Sequence, residues 1–405
     1  ATPLLLNEFG DDGLDKATIG LIAGWGVTFY AAGKLFNGVF ADFVGGRQVF
    51  LLGMLGSILA TILFGLGAGF GVFIVAWCMN RYIQSAGWGA LVKTASRWFP
   101  VSLMGTVVGI LCLSYLFGDV LAKLTLGFFV GLGLGWRGVF FVAAGILGAI
   151  LAVSYFTLRS SPNDVGEVEP HAHPRNLFGE EGEHVRPRNV LDLLGPFLVS
   201  PSFWLVCIMN FGLTSIREVF NFWTPTYLVE AADMGEGGAG MLSSVFPFFG
   251  GLSVLAAGYL SDTATKGKRG IVVFGFLLVA VFALIVLAAQ PGQGVSPWFA
   301  AVLIAAVGLF MLGPYAFLSG VICVDLGGKR GSSTAAGVAD AIGYLGSSVS
   351  LAAVGSVAQN YGWTMAWQFL AMVLAVTAAV AVLYWYIHEA RGSTPTIPPD
   401  EAAAV

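Results

Sequence analysis

Residues 34–47 read KLFNGVFADFVGGR, and residues 258–269 read GYLSDTATKGKR. Both hold a Gly-x-x-x-Asp step followed by cations: Gly38 and Asp42 with Arg47 in the first, Gly258 and Asp262 with Lys266, Lys268 and Arg269 in the second. Each closes a long apolar run. A glycine there lets two helices approach closely, and a carboxylate beside cations makes a charged latch between helix ends. The two segments stand 220 residues apart. A second match accompanies them, since Thr224-Pro225-Thr226-Tyr227-Leu228 precedes the later copy and Thr2-Pro3-Leu4-Leu5-Leu6 the earlier one. The chain reads as two repeats, a plan that recurs among membrane folds.

The composition around these segments agrees. Of 405 residues, 57% are hydrophobic and 10% charged, against roughly 25% charged in soluble domains, so a water-soluble globule is excluded. A mean hydropathy of +0.83 and 56 glycines fit helices packed closely in lipid. The net charge of −4 excludes a basic nucleic-acid binder. Cys78, Cys112, Cys207 and Cys323 all lie in apolar runs without metal-ligand or disulfide spacing and read as packing residues.

Runs long enough to cross about 30 Å of hydrocarbon fall near 17–41, 48–69, 71–95, 102–128, 138–158, 201–226, 238–261, 270–290, 297–324, 331–357 and 364–388. They are continuous rather than alternating, so eleven helices and not barrel strands are predicted. Residues 159–199 differ: charges recur, His171, His173 and His184 appear, and Pro162, Pro170, Pro174 and Pro187 break any helix. This predicts an exposed linker between an N-terminal half (1–158) and a C-terminal half (200–390), with a tail at 391–405. Arg47, Lys93, Arg97, Arg159, Arg175, Arg186, Arg188, Lys266, Lys268, Arg269, Lys329, Arg330 and Arg391 fall on the linker side, leaving Lys16 and Arg137 opposite. That asymmetry makes the linker and the C-terminus cytoplasmic. In the repeat, the counterpart of the span ending at Thr224–Leu228 would precede residue 1. A six-plus-six plan with its first helix absent from this chain is expected, the rival being a true eleven-helix protein.

Asn80-Arg81-Tyr82-Ile83-Gln84-Ser85-Ala86-Gly87-Trp88 with Lys93 and Arg97-Trp98-Phe99 is similar to a run shared by one branch of the major facilitator superfamily, the organophosphate:phosphate antiporters. So are Trp223 to Leu228, Gly313-Pro314, Thr334 to Gly337 and Gly343 to Gly346. The resemblance covers essentially the whole chain. It implies an all-α multi-pass membrane protein with the major facilitator fold of two six-helix repeats. It also implies a monomeric carrier in a bacterial inner membrane that exchanges an organic phosphate, such as a sugar or glycerol phosphate, for inorganic phosphate. Departures stand beside it. Arg81 occupies a family glycine, Gly89-Ala90 two prolines, Tyr115 a pore histidine, and Phe222 and Pro247 two acidic positions.

A charge in mid-bilayer costs at least a few kcal/mol and normally faces a cavity or a partner. Lys34, Arg81, Asp119, Lys123, Arg217, Glu218 and Asp340 are such charges. Arg217 matches the family's substrate arginine, and a guanidinium fork suits a phosphate dianion. Pairing with Glu218 is disfavoured because neighbours on a helix diverge by about 100°. Tyr30 and Lys34 share a helix face and match pore positions, although a lysine can also snorkel to the helix end. Arg81 lies about 15 Å into its helix and is either a substrate contact or a partner of Asp119 or Asp340. Asp119 and Lys123 are spaced to pair with each other. Asp340 is read as an exchangeable partner for a cation or a proton carrier. Tyr115 and Tyr344 are either donors to substrate or core aromatics. Asp42, Arg47, Asp262 and Arg269 are assigned to the gating latch.

The partners expected are an anionic, phosphate-bearing small molecule and the lipid bilayer. No cofactor or metal is called for, and no nucleophile elbow, phosphate loop or ligand set marks an enzyme. Two rivals remain open: an ion-coupled carrier of another organic anion such as a carboxylate, and a transporter-like sugar-phosphate sensor.

Overall fold

The computed structural model describes residues 16–179, 187–265 and 268–390. In lipid every backbone N–H must find its acceptor within its own segment, and the described chain contains helix and turn with no strand. The helices are α1 Lys16–Val44, α2 Gly46–Leu66, α3 Phe70–Gln84, α4 Ala86–Trp98, α5 Met104–Gly131 and α6 Trp136–Thr157, followed by a short α7 Val190–Val199. Then come α8 Pro201–Ala232, α9 Glu236–Ser243, α10 Val245–Thr263, α11 Arg269–Ala288, α12 Pro297–Leu318 and α13 Val321–Tyr384. Thr2–Leu6, Lys266 and the 391–405 tail lie outside the described residues.

Among the described residues, six helical stretches are both long and apolar enough to cross a bilayer: Gly46–Leu66, Trp136–Thr157, Pro201–Ala232, Gly238–Thr263, Arg269–Ala288 and Pro297–Ala390. The expected spans 71–95, 238–261 and 297–324 each prove interrupted, at Ser85, at Ser244 and at 319–320. At Ser85 the cause is local: its Oγ donates to the Tyr82 carbonyl at 2.6 Å and accepts from Asn37 Nδ2 at 2.8 Å. Such side-chain bonds bend the backbone ladder. α13 breaks at Gly328 (φ 54°, ψ −154°) and Gly362 (φ 84°, ψ 169°), a left-handed region that a side chain rarely tolerates.

Two helix crossings join the early and late parts of the chain, and each is built on a glycine of the repeated Gly-x-x-x-Asp step. A methyl group on Gly38 of α1 would stand 2.8 Å from the Ser333 carbonyl oxygen and 3.1 Å from Gly337 Cα in α13. One on Gly258 of α10 would stand 2.5 Å from the Gly105 carbonyl oxygen in α5. Only a bare backbone fits these crossings. The main core runs from Phe197 to Tyr384 with Val92, Ala95, Met104, Val108 and Cys112 joined to it. Smaller clusters form around Phe64, Phe73 and Trp136, and around Ala41, Val49 and Ala86.

Candidate functional site

Tyr30 and Lys34 are one turn apart on α1, and Asp340 and Tyr344 are one turn apart on α13, so each pair presents one face. Facing each other across the Gly38–Gly337 crossing, the helices pair like with partner. Lys34 Nζ lies 2.7 Å from Asp340 Oδ2, both side chains 6% exposed. The Tyr30 and Tyr344 rings meet edge to face at 5.2 Å. Lys34 Nζ also stands 5.2 Å over the Tyr30 ring.

Two guanidinium groups flank this tyrosine pair. From α3, Arg81 lies 4.5 Å over the Tyr30 ring and 5.9 Å from the Trp77 ring. From α8, Arg217 donates through Nη2 to the Tyr344 hydroxyl at 3.5 Å and stands 4.6 Å over the Tyr315 ring of α12. Its Nε is buried without a partner among the described residues. Tyr115 on α5 is within electrostatic reach of Arg217 and Tyr344. The charges in this group, Lys34, Arg81 and Arg217 against Asp340 and Glu218, leave a net positive site.

Several placements differ from those expected. Arg217 Nη2 does bond Glu218 Oε1; an arginine has enough rotatable bonds to curl back along the helix, so the divergence of neighbouring Cβ directions is no bar. Asp340 pairs with Lys34 and not with Arg81, because α1 rather than α3 packs along α13 at that level. Asp119 and Lys123 have side chains outside the described set. Arg47 stands apart from Asp42. The turn at Gly45 (φ 111°) swings it away, and it donates to the carbonyls of Leu158 at 2.7 Å and Tyr155 at 2.8 Å, capping the free end of α6.

The Asp42 carboxylate instead meets Lys93 of α4 at 2.7 Å and accepts from the Thr334 N–H at 2.7 Å. Lys93 donates onward to the carbonyls of Lys329 and, at 3.0 Å, Arg330. Asp262 is bound in the same manner at the other crossing. It accepts from Gly105 N at 3.1 Å, Thr106 N at 2.7 Å, Thr106 Oγ1 at 2.9 Å and Arg269 Nη1 at 2.5 Å. A carboxylate at the start of α5 satisfies N–H groups that a helix leaves free. Arg269, 1% exposed, also reaches Asp325 at 3.3 Å. Residue spacing alone gave no sign of Lys93, Asp325, Tyr315 or Trp77. Each sits in an apolar run, and only the inter-helix register shows what it faces.

Part of the 159–199 segment lies over this end of the molecule. Glu169 bridges Arg97 at 2.5 Å and Lys329 at 3.5 Å, and Leu177 N donates to the Leu326 carbonyl at 2.8 Å. His173 is 8% exposed and accepts from Arg175 N at 3.2 Å. Burial holds its pKa below the ordinary histidine value, with Arg269 and Arg175 adding to that and Asp325 opposing it. His184 lies outside the described residues. Among the described residues no three His, Cys, Asp or Glu side chains gather as a metal site would require.

A bundle of apolar helices carrying a cationic, tyrosine-lined group between two glycine-built crossings belongs to a multi-pass membrane transporter, not an enzyme. The model of the Major Facilitator Superfamily matches residues 1–351, and the chain belongs to that superfamily. It is 28% identical over 95% of its length, and 85% of the relative's, to a protein of Chlamydia muridarum described as a probable hexose phosphate transport protein. To the glycerol-3-phosphate transporter of Bacillus subtilis it is 24% identical, over 93% of this chain and 85% of that one. These names fit the organophosphate:phosphate antiporter branch. Among solved structures, the Escherichia coli fucose:proton symporter superposes with a TM-score of 0.70 over 95% of this chain and 94% of that one, at 13% identity.

Proposed function

We propose that the chain is a secondary antiporter exchanging a sugar or glycerol phosphate for inorganic phosphate by alternating access. The observation that carries this is Arg217: a guanidinium with an unpartnered buried Nε, set beside the Tyr344 hydroxyl and over Tyr315, in a site of net positive charge. A planar fork with free donors suits a phosphate dianion, and tyrosine hydroxyls donate to its remaining oxygens. The names of the relatives support the same substrate class.

On this reading residues 1–158 and 200–390 rock against each other about the site. Opening the basic end requires Asp42 to release the Thr334 N–H and Asp262 to release Gly105 and Thr106. Asp42, Asp262 and Arg269 are gating groups. Arg217, Lys34, Tyr30, Tyr115, Tyr344 and Asp340 form the binding group, with Asp340 exchanging Lys34 for solvent or substrate contact during the cycle. The excess of Arg and Lys at the latch end orients that end to the cytoplasm of a bacterial inner membrane, and the chain works as a monomer.

The test is uptake of labelled phosphate into phosphate-loaded liposomes. Wild-type chain is expected to exchange, and Arg217→Ala to lower the rate by roughly a hundredfold, the worth of about 2–3 kcal/mol for hydrogen bonds to a charged group. Absence of exchange in wild type, with carboxylate uptake that follows a proton gradient, would replace antiport by the ion-coupled reading that the buried Asp340 favours. Tight phosphate-ester binding without flux would point to a sensor.

A further inference from the structure

The intramembrane cations meet different fates. Lys34, Lys93, Arg217 and Arg269 each touch a carboxylate. Arg81 touches two rings and, among the described residues, no carboxylate. A cation over an aromatic face gains about 0.5–2 kcal/mol, whereas a guanidinium deep in a helix of the bilayer costs at least a few. The rings alone do not offset the placement. Stacking over Tyr30 also leaves the in-plane N–H donors of the fork unused, and none of them has an acceptor among the described residues. The neighbouring Trp77 indole N–H, buried, lacks one too.

Position supplies the rest. Arg81 and Arg217 stand on opposite sides of the Tyr30–Tyr344 pair, whose ring centroids alone are 5.2 Å apart. One phosphate group bound to Arg217 does not reach across both rings to Arg81. A ligand that satisfies both forks is extended and anionic at each end.

We infer that the organic substrate is a phosphate ester bearing a second anionic group at its far end, a carboxylate or another phosphate, and that Arg81 receives that group while Arg217 holds the first phosphate. This rests on the antiport reading for the role of Arg217. It narrows the substrate from neutral-tailed sugar phosphates to phosphorylated acids or bisphosphates.

The experiment compares two matched pairs of probes on the purified full chain: glucose 6-phosphate with gluconate 6-phosphate, and glycerol 3-phosphate with glycerate 3-phosphate. Binding is measured by calorimetry, and inhibition of phosphate counterflow in liposomes is measured beside it. Wild type is expected to bind the acid of each pair at least tenfold more tightly, on the order of one added charge-assisted contact. Arg81→Gln is expected to bring each ratio to within about twofold, and Arg81→Lys to restore part of it. Equal affinity within both pairs in wild type, a preference for the neutral-tailed member, or a ratio that persists in Arg81→Gln overturns the inference. So does failure of all four probes to bind. If the probes bind but phosphate does not exchange, the antiport reading falls, and the wild-type ratio, which needs no variant, still decides the role of Arg81.

Discussion

The latch end and the mid-helix cluster both place buried charges where early and late helices meet, but they treat donors and acceptors in opposite ways. At the latch the carboxylates are crowded with donors: Asp262 accepts four hydrogen bonds, and Arg269 divides its fork between Asp262, Ser261 and Asp325. In the cluster the donors outnumber their acceptors, with Arg217 Nε empty and Arg81 resting on rings. A saturated network holds one arrangement. An unsatisfied buried donor costs free energy until something fills it, so the cluster is the half of the comparison that calls for a ligand.

The contrast breaks most visibly at Arg269. Replacing it by alanine strands Asp262 and Asp325, whose side chains are 4% and 5% exposed. Removing one member of a buried ion pair costs about 3–5 kcal/mol. Arg269→Ala should therefore lower the thermal midpoint of the detergent-solubilised chain by several degrees, and Arg269→Lys by less. A midpoint unchanged by Arg269→Ala would mean that water enters the latch and that it is not a sealed network.

Next in size is the Lys34–Asp340 pair, which by geometry resembles the latch and by location the cluster. Either single change to alanine leaves a buried charge and should destabilise by about 3 kcal/mol. The double variant Lys34→Ala/Asp340→Ala should recover most of that, giving a coupling of roughly 1–3 kcal/mol in a double-mutant cycle. Phosphate exchange separates the two identities. If the pair serves the site, exchange stays low in the double variant although stability returns. Exchange at the wild-type rate in a stable double variant would move the pair into the latch class.

Sequence revealed these two regions unequally. Asp42 and Asp262 were legible because a glycine four residues before a carboxylate, repeated at the same place in two halves, is a local pattern. Their partners were not, because Lys93 and Thr334 come to Asp42 from other helices through packing. Arg47 was misassigned for the same reason, nearness along the chain standing in for nearness in space. In the cluster, the i, i+4 spacing gave the shared faces of Tyr30 with Lys34 and Asp340 with Tyr344. That these faces oppose each other follows from the Gly38–Gly337 crossing, a register no single-helix periodicity contains.

The smallest effect is expected where the latch is tied to the 159–199 segment. Glu169 joins Arg97, whose side chain is 34% exposed, to Lys329. Partial burial raises the Glu169 pKa, but the bond and charge of Arg97, helped by Lys329, outweigh it and hold the carboxyl below its ordinary 4.5. A carboxylate whose pKa is depressed by folding contributes stability that is fully present above its unfolded value and is lost as pH falls below 4.5 through the folded one. Because the pair is partly solvated, that contribution is about 0.2–1 kcal/mol. Glu169→Gln should lower the midpoint by a degree or two at pH 7, by the same amount at pH 5.5, and not at all near pH 3. Added salt should shrink the pH 7 difference, since exposed charges are screened. A difference that widens on acidification would contradict the sign of the shift. One as large as that of Arg269→Ala would place the strength of this end in the segment that covers it instead of in the buried carboxylates beneath.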